Sequence, residues 1–112
     1  MLPTDRGKLL YKLADLIELH ASEIGEIETH DSGKLLAETV TQTRYVADYY
    51  RYFAGLADKI QGSTLPIDKP EMHVYTSYEP KAIVAAIDPW NPQMFLTAKK
   101  LAPALAAGCT VV

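Results

Sequence analysis

Hydrophobic and polar positions divide the chain into a helical first half and a strand-bearing second half. Thr4 is placed to cap a first helix whose positions Leu9, Leu13, Leu16, Ile17 and His20 recur at spacings that fall on one helical face, ending near His20-Ala21. Ser22 offers a second cap. Ile24 and Ile27 are expected to bury a short helix that Ser32-Gly33 terminates, because glycine accepts the left-handed conformation needed there. From Lys34 onward Val46, Tyr49, Phe53, Leu56 and Ile60 follow at spacings of three, four, three and four until Gly62 stops the pattern. Tyr45, Tyr49, Tyr50 and Tyr52 surround this long helix, which predicts contacts on several of its sides.

Pro66 and Pro70 mark a connector, and Met72 to Tyr78 is β-prone but only loosely alternating, which predicts an exposed or edge strand. After Glu79-Pro80, Ala82 to Ile87 gives a run of six apolar residues, the signature of a parallel strand covered on both faces. A sharp turn at Pro89-Trp90-Asn91 leads into a helix from Gln93 to Ala107, closed by Gly108, in which Pro103 produces a kink or marks the last turn. Cys109 then opens a second apolar strand. Lys81 to Val112 therefore reads as a βαβ unit, with any ligand expected in the crevice beyond the carboxyl end of its first strand.

Composition narrows the function classes. A chain of 112 residues can form one ordinary domain, and 48% hydrophobic with 22% charged residues is globular material. A net charge of -3, spread along the chain, gives no reason to expect nucleic acid. No run approaches the roughly 18 apolar residues of a membrane helix, and Met1-Leu2-Pro3 leads into charged residues rather than a signal core, so a soluble, cytoplasmic protein is expected. The single cysteine, Cys109, forms no intrachain disulfide, and His20, His30 and His73 lack metal-ligand spacing.

The chemistry concentrates at the turn. Asn91 before Pro92 has the pattern of an N-cap followed by a first-turn proline; the same carboxamide can donate its N–H to a developing oxyanion, and one amide can do both. Trp90 is a packing residue or a pocket wall, and Asp88 a capping residue or a contact to a polar cofactor group. No G-x-G-x-x-G follows Ile87, so a dinucleotide would bind by another arrangement. Lys99 and Lys100 are expected to be exposed. Asp31-Ser32-Gly33-Lys34 lacks the strand and glycine spacing of a phosphate loop and reads as a helix-to-helix turn.

Taken in order, RGKLLYKLADLIE from Arg6, Asp31-Ser32-Gly33-Lys34, RYFAGLADKIQG from Arg51, and PWN followed by KLAPALAAGCTVV resemble the aldehyde dehydrogenase superfamily across nearly the whole chain. The resemblance implies an α/β fold: N-terminal helices leading into the first βαβ unit of a Rossmann-like parallel sheet, with an extended strand between them, as part of an incomplete domain. Residues 1–62 would be the helical subdomain, 63–80 the connector and oligomerisation-type strand, and 81–112 the start of the NAD(P)-binding domain. The implied activity is oxidation of an aldehyde substrate to an acid, with NAD or NADP as cofactor, through a cysteine thiohemiacetal. Asn91 matches the family asparagine that helps hold the oxyanion, while Ile87, Asp88, Pro89 and Trp90 match positions lining the cofactor cleft. Partners implied are further copies of the enzyme, as a dimer or tetramer.

Several positions depart from the family pattern. Pro92 directly follows Asn91, and Gln93 stands where the family proline is expected; Ala82 replaces a common glycine; Lys99 replaces an aromatic, leaving Lys100 as the matching lysine. The family's glycine motif, general-base glutamate and nucleophilic cysteine are expected beyond Val112, and Cys109 stands where the family carries Asn or Cys indifferently. The stretch alone is therefore expected to be inactive and marginally stable. A different class of reading is a truncated, non-catalytic relative acting as an oligomerisation module through Met72 to Tyr78.

Overall fold

A computed structural model describes residues 1–112. The elements run α1 (Pro3–Leu19), α2 (Ala21–Ser32), α3 (Leu36–Leu56), β1 (Thr64–Leu65), β2 (Val74–Tyr75), β3 (Ile83–Val84), α4 (Gln93–Ala106) and β4 (Thr110–Val111). Neither of the first two helices uses its predicted cap. α1 starts at Pro3 after an extended Leu2, because proline's preset φ suits the first helical position, and α2 follows α1 after His20 alone, with no side-chain cap.

α3 is the central element and touches α1, α2 and α4, as its all-round tyrosines predicted. It ends at Leu56 rather than running to Gly62, leaving Ile60 exposed beyond it. Its closest face is built from Thr39, Thr43, Val46, Ala47, Tyr50 and Ala54, while Tyr49 and Phe53 pack half-buried beside the core. On α1 the buried residues are Gly7, Leu10, Ala14 and Ile17; of the expected stripe Ile17 is buried as predicted, while Leu9, Leu13 and Leu16 are exposed. Close approach decides this. A Cβ on Gly7 would lie 2.8 Å from the Ala54 carbonyl oxygen, so the face carrying Gly7, Leu10 and Ala14 is buried and Leu9, Leu13 and Leu16 face away. On α2, Ile27 is likewise exposed, whereas Glu28 is buried.

Asp31-Ser32-Gly33-Lys34 is a helix-to-helix turn. Gly33 adopts φ 75° and closes α2, and Lys34 turns back to place its Nζ 2.7 Å from Glu28 Oε1, a pair whose carboxylate side chain is 3% exposed. Arg51 ties α3 to α1 by donating to Asp15 at 2.9 Å and to Glu18, and also reaches Asp48 on its own helix.

The strands are short. β2 realises only the middle of the expected Met72–Tyr78 strand and pairs antiparallel with β1, which lies inside the segment read as a connector. β3 and β4 pair in parallel through Ile83↔Thr110 and Val84↔Val111, and Ala86 N–H extends the ladder to the Val112 carbonyl at 2.7 Å. The βαβ unit is therefore present. The expectation of a strand covered on both faces is not met within this chain: Ile83 is 68% exposed, because β3 has one strand neighbour and a single helix following it. Ala82, where the sequence departs from a glycine, carries φ 71°. Pro103 sits in the last turn of α4, and Gly108 follows with φ 93°.

The body measures 64 × 25 × 20 Å with a radius of gyration of 18.2 Å, whereas a compact domain of this length would have about 13 Å. Only 17 of 112 residues are buried, and the main cluster joins α1, α3 and α4 through Leu10, Ala14, Ile17, Val46, Ala47, Tyr50, Ala54, Ala98 and Ala102. Such a shape leaves many large apolar side chains exposed.

Candidate functional site

β3 runs toward Ile87, and the chain then turns through Asp88 to Pro92 into α4. The turn thus lies at the carboxyl end of a parallel strand and at the amino end of the helix that follows it, where open α/β sheets place ligands. Ile87 is 86% and Trp90 75% exposed, so both present apolar surface to solvent. Trp90 does not pack into this chain's core.

Asn91 is not the cap that the Asn-Pro pattern suggested. The N-cap is Pro92, itself extended at φ -72° and ψ 111°, and its carbonyl accepts from Leu96 N–H at 3.1 Å. A residue before proline is pushed out of the helical region, and here the proline stays out as well, so the helix begins at Gln93. Asn91 is exposed, and its carboxamide keeps both donors and its acceptor free of intramolecular bonds.

Asp88 has more partners than a solvated turn residue. Its Oδ2 accepts from Thr97 Oγ1 at 2.9 Å, and Oδ1 pairs with Lys100 Nζ, which also donates to the Ile87 carbonyl at 2.7 Å. The Lys100 ammonium holds the Asp88 carboxyl below its usual range, outweighing desolvation, which pushes it upward; the Thr97 hydroxyl adds to the lowering. Lys100 is therefore half-shielded in this cluster, whereas Lys99 is exposed with its ammonium 4.3 Å from the Phe95 ring centroid. Sequence reasoning missed the Thr97–Lys100 partnership. Its signal was there: Thr97 and Lys100 are three apart on one helical face, within reach of an acidic residue at the preceding strand end.

On the far side of the turn, Gln93 Nε2 donates to Asp31 Oδ2 at 2.6 Å and so fastens the start of α4 to α2. Cys109 lies at the opposite end of the unit. Fourteen helical residues span about 21 Å, and β4 starts where β3 starts, so the Cys109 thiol stands far from Asn91. It lines an apolar groove with Leu9, Leu10, Leu13 and Leu105.

A helix-rich region followed by β3-α4-β4, with its free carboxamide and apolar side chains at the strand end, is the opening of a Rossmann-like α/β fold. The chain belongs to the aldehyde dehydrogenase family, whose model matches residues 1–112. It is 61% identical over 109 residues to (Z)-2-((N-methylformamido)methylene)-5-hydroxybutyrolactone dehydrogenase of Acinetobacter baylyi, covering 97% of this chain and 22% of that protein. An aldehyde dehydrogenase of Enchytraeus buchholzi is 49% identical over 110 residues, again with 97% and 22% covered. Among solved structures, betaine aldehyde dehydrogenase of Staphylococcus aureus in complex with NAD+ superposes with a TM-score of 0.95 at 35% identity, over 99% of this chain and 23% of that one. The chain thus spans about a fifth of the length of the relatives it matches. The Rossmann-like start of the fold is shared with these structures, and no helix is long and apolar enough to cross a membrane.

Proposed function

We propose that residues 1–112 are the helical region and first βαβ unit of an NAD(P)-dependent aldehyde dehydrogenase that oxidises an aldehyde to a carboxylic acid. The observation that carries this is the family match along the whole chain combined with an unengaged Asn91 carboxamide at the strand-end turn. In this reading the Asn91 amide N–H donates to the oxyanion formed when a cysteine thiolate, supplied outside these residues, adds to the aldehyde carbonyl. A preorganised neutral donor favours the charged adduct over the uncharged carbonyl, so its effect falls on the rate of reaction more than on substrate binding.

Exposed Ile87 and Trp90, with Pro89 between them, fit the flat and partly apolar faces of a nicotinamide nucleotide, and Asp88, engaged by Thr97 and Lys100, helps shape this wall of the cleft. When bound, that nucleotide accepts the hydride. Residues 1–62 act as the helical subdomain, 63–80 as connector and assembly strand, and 81–112 as the start of the cofactor domain. The exposed β1–β2 ribbon, with Tyr75 69% exposed, suits pairing in a homodimer or homotetramer, and the enzyme works in the cytoplasm.

The test is the full-length enzyme with a panel of aldehydes and both nucleotides. Nicotinamide reduction should require an aldehyde, and Asn91→Ala should lower kcat by about 10²–10³ with a much smaller change in KM. The proposal fails if no aldehyde supports nucleotide reduction, or if the alanine variant turns over as fast as its parent.

A further inference from the structure

Residues 89 to 91 make no hydrogen bond of their own to the rest of the chain, and Trp90 is too exposed to anchor them by packing. Whatever fixes the direction of the Asn91 carboxamide must therefore act from the two flanks of the turn. One flank is the Gln93–Asp31 bond, which pins the start of α4. The other is a three-point cluster: Asp88 receives Thr97 and Lys100, and Lys100 also holds the Ile87 carbonyl. These contacts link the end of the strand to the second turn of the helix, nine to thirteen residues on.

An isolated exposed ion pair would contribute little order. This one differs, because the Asp88 carboxylate is 21% exposed, both of its oxygens are engaged, and the same ammonium binds a backbone carbonyl. The α4 amino end has no side-chain cap and no acidic residue in its first turn, so the cluster takes over the task of setting the turn against the helix.

We propose that Asp88, through Lys100 and Thr97, is a positioning residue that holds the Pro89–Pro92 turn so that the Asn91 carboxamide faces the reacting carbonyl. The proposal rests on the oxyanion reading of Asn91, and it separates Asp88 from a direct contact to the cofactor. A polar donor misplaced by a fraction of an ångström loses much of its effect in the transition state while leaving ground-state binding nearly unchanged.

The experiment is a double-mutant cycle in the full-length enzyme, using Asp88→Asn, Asn91→Ala and the pair, with NAD+ affinity measured separately by fluorescence titration. Asp88→Asn should lower kcat by about ten- to a hundredfold, with the aldehyde KM and NAD+ Kd changing by less than about threefold. In the Asn91→Ala background the same substitution should cost nothing further, and Asp88→Glu should recover part of the rate. If Asp88→Asn does not fold, Thr97→Val removes one partner and should show a smaller kcat loss with the same dependence on Asn91. An unchanged kcat, a loss of equal size in both backgrounds, or a weakened NAD+ Kd at full kcat would each overturn the assignment. Full activity in Asn91→Ala alone would instead remove the oxyanion reading beneath it, and the single variant reveals that before the cycle is closed.

Discussion

Replacing Lys34 by methionine isolates the energetic consequence of a buried carboxylate. Glu28 Oε1 lies 2.7 Å from Lys34 Nζ, its side chain is 3% exposed, and its Oε2 is buried with no hydrogen-bond partner. At that separation the gross attraction is about 6 kcal/mol for an effective dielectric of about 20, and most of it offsets the desolvation of two charges. Removing one partner of a buried pair costs about 3–5 kcal/mol because the other charge is stranded. The lower end applies here, since Lys34 is 19% exposed and water can enter the space it vacates. The reciprocal change, Glu28→Gln, should cost only about 1 kcal/mol: the amide oxygen still accepts, and the lysine is free to reach solvent. Native-state hydrogen exchange on the full-length enzyme reads this locally, without requiring two-state unfolding of a large protein. Lys34→Met should accelerate exchange of the last α2 amides about a hundredfold, Glu28→Gln less than about tenfold, and the double variant less than Lys34→Met alone. Equal effects of the two single changes, or a double variant as fast as the sum of both, would refute the stranded-charge argument.

Three further outcomes follow from local geometry. Gly25→Ala gains about 1 kcal/mol in helix propensity but places a Cβ 2.6 Å from Val40 Cγ2 and 2.9 Å from its backbone nitrogen; overpacking of about 1–3 kcal/mol makes the net effect destabilising, visible as faster exchange in α2 and the start of α3. Ala82→Gly relieves a left-handed alanine at φ 71°, so after subtracting the added freedom of the unfolded chain it should stabilise by about 0.5–1 kcal/mol, measured as slower exchange of Thr110 N–H, which bonds the Ala82 carbonyl. Burial pushes the Tyr50 hydroxyl above its ordinary value, so its contribution is complete below about pH 10 and is lost as pH rises through the raised folded value; Tyr50→Phe should abolish that part of the alkaline loss, followed by circular dichroism against pH.

Element types were legible from the chain because large apolar residues and breakers mark them. Gly33, the Gln93–Ala106 helix and the parallel β3–β4 pair stand where the pattern put them. Which face of α1 turns inward was not legible, since periodicity weighs leucines whereas a tight helix contact selects Gly7 and Ala14. Two-residue strands such as β1 carry no pattern at all. The apolar run from Ala82 to Ile87 predicted a strand covered twice, yet Ile83 and Ile87 are exposed. Burying those two side chains would contribute roughly 1.5–3 kcal/mol each, so the run records burial that this stretch alone does not provide. The elongated body points the same way, and both agree with a chain that matches about a fifth of its relatives' length.

At the site, the two competing roles of Asn91 could not be separated by spacing, because an N-cap and an oxyanion donor both call for a small polar residue before a helix. The conformation of Pro92 removes the first. By remaining extended it moves the helix start past Asn91 and leaves the carboxamide without an internal partner, as the proposed donor role requires. Asp88 shows the opposite case: its residue type suggested solvent, and only the phase of α4 relative to the strand end brings Thr97 and Lys100 onto it. That phase follows from where the helix begins, so the same extended proline that frees Asn91 also fixes which residues face Asp88. A one-residue shift of the helix start would rotate α4 by about 100° relative to the strand, turning Lys100 away from Asp88. In this chain the extended Pro92 thus bears on both, leaving Asn91 outside the helix and setting the phase that brings Thr97 and Lys100 to Asp88.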